Sequence, residues 1–288
     1  MLINDALKNE IAQSVKKSLT EDIGDGDITA SLNNDLSHAK AEIVCREKMV
    51  LCGRLWVDEI YNQLDPNFDI KWMFDDGDFI EKNTIIFEIT GSTQNILSGE
   101  RCALNFLQTL SATATITRQY VEQLKNLNCK VLDTRKTLPG LRLAQKYAVL
   151  CGGGTNHRIG LFDAILIKEN HIISGGGIKN IIQKSKALHP KIPIEIEVET
   201  LIEVKEAIKA GADRLLLDNF SQEMLEKAYE INQSLNDRPK LLEASGDITL
   251  NNIRKIAETA FNRVLELNHR HSKARLRTGV FLLKSVLD

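Results

Sequence analysis

From about residue 130 onward the chain alternates between short apolar runs and amphipathic stretches of helical length, and no other feature limits the possible folds as much. The runs are VLDT (131–134), DAILIK (163–168), IEIEVE (194–199), DRLLLD (213–218) and KLLEAS (240–245). Helical periodicity between them is clearest in TLIEVKEAIKAG, QEMLEKAYEINQSL and TLNNIRKIAETA. Such strands must be covered on both faces, and right-handed β-α-β crossovers cover them, so a parallel sheet is expected. The number of units favours a barrel, open or closed. The first 96 or so residues read differently. A helix around 4–18 is followed by runs of strand character, KAEIVCREKMVLCG and NTIIFEITG, with Asp, Gly and Asn turns between, which suggests a small α+β domain. From Ser98 to about Asn126, apolar residues recur at helical spacing without proline, predicting a long bridging helix.

The balance of 37 Lys and Arg against 39 Asp and Glu gives a formal charge of -2, so there is no general attraction to nucleic acid or acidic membranes. Any anion site must be local. Cys45, Cys52, Cys102, Cys129 and Cys151 are odd in number and contain no C-x-x-C pair, as expected of reduced thiols in a cytoplasmic protein. No apolar run reaches the ~20 residues that span a bilayer, so neither export nor membrane insertion is expected.

The predicted strands end in polar residues, and the ends of barrel strands are where active sites gather. VLDT runs into Arg135 and Lys136, DAILI into Lys168, Glu169, Asn170 and His171; IEIEV contains Glu197, RLLL ends at Asp218, and LLEA ends at Ser245 and Gly246. Residues 130–171 hold seven Lys or Arg and three acids, a net charge of 7 − 3 = +4 in an acidic protein. Arg suits bidentate carboxylate or phosphate recognition, so a substrate with several negative charges is expected. Glu197 and Asp218 on neighbouring strands supply the opposite sign. They can hold Mg²⁺, bind ribose hydroxyls, stabilise a cationic transition state, or merely pair with a nearby Lys. The glycines of CGGGTNHRIG (151–160) fit a helix stop as well as an anion cradle, because the spacing matches no nucleotide-binding motif.

The segments DTRKTLPGLRLAQKYAVLCGGGTNHRIGLFDAILIKENHI (133–172), EIEVET (195–200), AGADRLLLDNF (210–220) and EASGDI (243–248) resemble the quinolinate phosphoribosyltransferases. So do EDIGDGDIT (21–29) and SGERCALNFLQTLSATAT (98–115). The resemblance implies an α/β protein of the type II phosphoribosyltransferase fold, an N-terminal α/β sandwich followed by a C-terminal open α/β barrel. We expect domains at 1–104 and 105–262, with a divergent tail at 263–288. By this resemblance Arg135, His157, Arg158 and Lys168 bind the two carboxylates of quinolinate, and Arg101 reaches in from the other subunit of a homodimer with shared sites. Lys136 meets phosphoribosyl pyrophosphate, Glu197 and Asp218 face its ribose and Mg²⁺, and Ser245 and Gly246 lie at its 5-phosphate. Lys136, Lys168, Glu197 and Asp218 are then the expected catalytic residues, with metal contact through Glu197 and Asp218 indirect, by way of substrate or water.

Two departures from the family pattern stand out. The likeness stops near Thr259, after which the chain has no glycine until Gly279, and Asp247 places an anion after the S-G pair. A homologue that binds quinolinate without turning it over, a type II enzyme for another aromatic acid, and a Schiff-base lyase using Lys168 are the competing readings.

Overall fold

The computed structural model describes residues 4–32, 38–235, 238–259 and 265–266. It divides into two compact units, one from Met1–Arg118 with Thr137–Gly153, the other from Gln119–Lys136 with Gly154–Asn268.

The first unit opens with α1 (Asp5–Ile23), whose N-terminus is capped by the Asn4 side chain accepting from the Leu7 amide. Leu7, Ile11, Val15 and Leu19, four residues apart, form its buried stripe. Strands β1 (His38–Val44) and β2 (Met49–Val50) precede α2 (Arg54–Leu64), and β3 (Asp69–Trp72), β4 (Phe79–Ile80) and β5 (Ile85–Ser92) follow it. An antiparallel sheet runs β1-β5-β3, while β2 pairs with β4. Ala39, Ala41 and Ile43 point inward on β1 and join a core containing Trp56, Ile60, Phe87 and Leu107. Helix α3 (Thr93–Gln123) is the predicted long helix, and it runs on into the second unit.

Helix α4 (Arg142–Cys151), which the sequence reading did not anticipate, belongs to the first unit and decides the role of the glycine run. A Cβ on Gly152 would stand 2.5 Å from the Ala114 carbonyl oxygen, and Gly153 has φ of +90°. The glycines therefore stop α4 and let it press on α3.

In the second unit β6 (Val131–Leu132), β7 (Ile165–Ile167), β8 (Ile194–Val198), β9 (Arg214–Asp218) and β10 (Leu241–Ser245) are the five predicted apolar runs. Helices α5 (Glu169–Ser174), α6 (Ile178–Leu188), α7 (Leu201–Ala210), α8 (Gln222–Ser234) and α9 (Ile253–Glu258) lie between and beyond them. Local chemistry sets the boundaries: Thr200 and Glu203 form a capping box that opens α7, and Gly211 closes it in the left-handed conformation. The last strand among the described residues is β11 (Leu265–Glu266), and the sheet order is β6-β11-β10-β9-β8-β7, with its pairings parallel. Since β6 and β7 are its two edges, the barrel is open, and one bridge from Leu132 to Thr155 enters the gap.

Strand β11 lies within the segment read from sequence as a tail. Leu265 pairs with Ala244 on one side and Val131 on the other. Leu265 and Glu266 thus pair as a strand although the expected glycine is missing from the sequence here. The rest of 263–288 lies outside the described residues.

Candidate active site

Side chains two residues apart on a strand share a face. Leu166 and Lys168, Glu197, Leu216 and Asp218, and Glu243 and Ser245 accordingly line one cavity of about 360 Å³ in the second unit. Asp133, Thr134, Arg135, Lys136, His157 and Arg158 complete its wall. Eight of the residues singled out from sequence are thus brought together: Arg135, Lys136, His157, Arg158, Lys168, Glu197, Asp218 and Ser245. Gly246 follows directly on the last of these. Arg101 is exposed on α3 in the first unit and is not among the lining residues.

The basic side is built on Asp133, which is buried at the end of β6. Its carboxylate accepts from the His157 amide at 2.8 Å and from Asn156 Nδ2 at 2.5 Å, and so fixes the N-H-R loop to the strand. The His157 ring is held in turn by Glu195, with Nε2 to Oε2 2.8 Å, and Glu243 lies 3.8 Å from the same nitrogen. Burial works to raise the Glu195 pKa. The hydrogen bond and charge of His157, with help from Glu243 and Arg214, outweigh it and hold the carboxyl below its usual value. Arg135 and Arg158 repel each other across this wall. Burial first, and then the charge of Arg135, lower the Arg158 pKa, while Arg135 Nε is buried with no hydrogen-bond partner. Two crowded guanidiniums with an unmet donor leave a strong demand for an anion.

The opposite wall is acidic. Lys168 Nζ is paired with Glu197 Oε2, the arrangement the sequence reading kept as the bland alternative for that carboxylate. Asp218 Oδ2 accepts from Asn219 Nδ2 at 3.1 Å. Glu199, just beyond β8, has its pKa raised by desolvation and by the charges of Glu169, Asp218, Glu203 and Glu197. That crowding of carboxylates is a measure of how much negative charge collects at the ends of β8 and β9. Hard oxygen ligands at high negative potential fit Mg²⁺, and Glu197 and Asp218 are the members of the group inside the cavity.

Gly246 fixes the turn after β10. Its φ is +92°, and a Cβ there would stand 2.0 Å from Asn219 Oδ1 and 3.0 Å from the Asn219 backbone nitrogen, whose N–H donates to the Ser245 carbonyl. Asn219 and Asp247 are left-handed as well, at φ of 55° and 48°. Gly246→Ala should therefore cost about 1–3 kcal/mol of stability, through strain at the turn and displacement of Asn219. Denaturant unfolding of the two proteins measures this, and an unchanged midpoint would show that the turn relaxes freely.

Two family models span most of the chain: "Quinolinate phosphoribosyl transferase, C-terminal domain" matches residues 113–271, and "Quinolinate phosphoribosyl transferase, N-terminal domain" matches 27–111. The chain belongs to the quinolinate phosphoribosyltransferase family. The C-terminal match runs past Thr259, where the likeness read from sequence stopped, and it includes β11. A rice relative (Oryza sativa subsp. japonica), a chloroplastic nicotinate-nucleotide pyrophosphorylase [carboxylating], is 38% identical over 267 residues, 85% of this chain and 70% of that protein. The structure of the nicotinate-nucleotide pyrophosphorylase from Francisella tularensis superposes with a TM-score of 0.89 at 44% identity, covering 96% of each chain. That from Ehrlichia chaffeensis gives 0.89 at 31% identity, covering 99% of this chain and 100% of the other.

Within this candidate site, sequence reading missed Asp133, Thr134, Glu195 and Glu243. A signal existed for the glutamates. Charged residues at alternate positions of otherwise apolar strands, Glu195 two before Glu197 and Glu243 two before Ser245, share a face with the residues that were found. Asp133 carried no such pattern, because its role is to hold backbone of a loop more than twenty residues away.

Proposed function

We propose that the chain transfers a phosphoribosyl group from phosphoribosyl pyrophosphate to quinolinate, with decarboxylation, giving nicotinate mononucleotide, pyrophosphate and carbon dioxide. The observation that carries this reading is the juxtaposition in one cavity of the Arg135–Arg158 pair with the Glu197–Asp218 carboxylates. The first is a receptor for a dianionic acceptor, and the second suits a polyhydroxylated, cationic reacting centre. Arg135, Arg158 and His157 bind the acceptor carboxylates and orient its ring nitrogen. Lys136, exposed at the rim, meets the pyrophosphate, and Ser245 with the Gly246 turn receives the 5-phosphate. As pyrophosphate leaves, Glu197 and Asp218 stabilise the positive charge that develops on the ribose. Attack by the ring nitrogen makes it quaternary, that cation stabilises the carbanion left when the adjacent carboxylate departs as carbon dioxide, and a proton from solvent then completes nicotinate mononucleotide. Mg²⁺, held by Glu197 and Asp218 directly or through substrate and water, would supply neutralisation of the leaving anion.

Lys168 sits beside a carboxylate instead of in the apolar pocket that would activate a Schiff-base lysine, which weighs against a lyase. We place the protein in the cytoplasm, a reading supported by five cysteines that are all thiols. Among the described residues no helix is long and apolar enough to cross a membrane. Incubation with quinolinate, phosphoribosyl pyrophosphate and Mg²⁺ should release carbon dioxide and nicotinate mononucleotide in equal amounts. Turnover of nicotinate without carbon dioxide release would point instead to another aromatic acid.

We further propose a homodimer in which Arg101 completes the partner's acceptor site, a reading supported by its exposure on α3 and by the family resemblance of the SGERCALNF segment. Arg101→Ala mixed with Lys136→Ala under verified subunit exchange should regain activity, up to about half of the heterodimer's sites. No recovery would mean that Arg101 acts within its own subunit or not at all.

A further inference from the structure

The first unit contains a pair of thiols that phosphoribosyl transfer does not use. Cys52 lies just before α2 and is fully buried, and Cys151, the last residue of α4, is half-buried. Their Sγ atoms and a carboxylate oxygen of Asp76 all lie within 4.8 Å of one another. Both backbones are pinned. Ser111 Oγ accepts from the Cys52 amide at 2.9 Å and donates to the Cys52 carbonyl at 3.0 Å. Arg118 donates to the carbonyls of Cys151 at 3.2 Å, Gly152 at 3.0 Å and Gly77 at 3.3 Å. The sulfurs are thus held close by surroundings that do not depend on them. We propose that Cys52 and Cys151 form a site of oxidative modification, which a two-electron oxidant such as a peroxide converts into a disulfide.

A metal ion suits the cluster less well. Asp76 Oδ1 already accepts from the Gly53 and Arg54 amides at 3.0 and 3.2 Å, and Oδ2 accepts from the Tyr147 hydroxyl at 3.0 Å. Two thiolates and this carboxylate around a divalent cation would leave one unbalanced negative charge in a buried place, whereas a disulfide is neutral. Burial, contact with the Cys151 thiol and the charge of Asp76 raise the Cys52 pKa well above the ordinary value, so Cys52 is a poor first nucleophile. Cys151, the more accessible sulfur, meets the oxidant. Its sulfur breaks the O–O bond of hydrogen peroxide, giving a sulfenic acid and one water. The Cys52 sulfur then displaces hydroxide from that sulfenic acid, forming the S–S bond and a second water. The thiols lose two electrons and two protons in all, and one peroxide becomes two waters. Because Cys52 must lose its proton in the second step, formation should speed up as pH rises.

Treating the full chain in its folded state with hydrogen peroxide should remove two hydrogens from the intact mass, and dithiothreitol should restore them. A non-reducing digest should contain one cross-linked species, joining the Cys52 and Cys151 peptides. Cys151→Ser and Cys52→Ala should each abolish it, and Cys102→Ser should retain it. If the buried Cys52→Ala variant does not fold, the half-buried Cys151→Ser carries the test alone. An unchanged mass, oxygen added at Cys151 without a cross-link, or a cross-link to Cys45, Cys102 or Cys129 would overturn the proposal.

Discussion

Arg135→Ala and Arg158→Ala should each weaken quinolinate binding by about 2–5 kcal/mol, roughly thirty- to several thousand-fold, and leave phosphoribosyl pyrophosphate binding nearly unchanged. The size follows from burial: each removes a desolvated partner of a carboxylate, and the other carboxylate contact does not compensate. The two losses should not add. With both side chains present the two like charges oppose each other, and the charge of Arg135, after burial, is the second cause that lowers the Arg158 pKa. Removing one therefore relieves a repulsion along with losing an attraction. Titration calorimetry with each substrate in turn, on the single and double variants, gives the comparison. Equal loss of affinity for both substrates would place these arginines at the wrong ligand.

How far the sequence revealed this protein depended on whether a feature was periodic. The five apolar runs became strands in the second unit because a buried parallel strand has few ways to be written other than as consecutive apolar residues. Their polar ends then led to six of the cavity residues, Arg135, Lys136, Lys168, Glu197, Asp218 and Ser245, while His157 and Arg158 came from the N-H-R element of the family resemblance. Glu195 and Glu243 stayed hidden because attention fell on strand ends, while these two lie inside the strands. Their spacing of two residues from Glu197 and Ser245 is the signal that places them on the same face. Helix α4 lies between basic and glycine-rich segments, where the sequence fits a helix stop and an anion cradle equally well. The collision of a Gly152 Cβ with the Ala114 carbonyl shows that packing against α3 sets that glycine. Strand β11, described at Leu265 and Glu266, stood in a segment whose likeness to the family pattern had stopped and whose basic residues read as a tail.

Asp218→Asn should lower turnover about 10²–10³-fold while leaving quinolinate affinity close to wild type. Its carboxylate lies at the end of β9 and accepts from Asn219 Nδ2, and an amide there keeps the shape while removing the charge. The developing ribose cation then loses a preorganised anion that the ground state needs much less, so the loss falls on kcat. Glu197→Gln is the less simple variant. It should also slow turnover, but it releases Lys168 from its ion pair, and a cation freed at the cavity wall should tighten binding of an anionic acceptor. The two variants are thus expected to agree in kcat and to separate in quinolinate affinity, unchanged in one and modestly increased in the other. Single-turnover kinetics at saturating Mg²⁺ with parallel binding titrations resolves both quantities. Wild-type turnover in Asp218→Asn would remove that carboxylate from the chemistry, and weaker acceptor binding in Glu197→Gln would mean that the Lys168–Glu197 pair, not Lys168 alone, is what quinolinate meets.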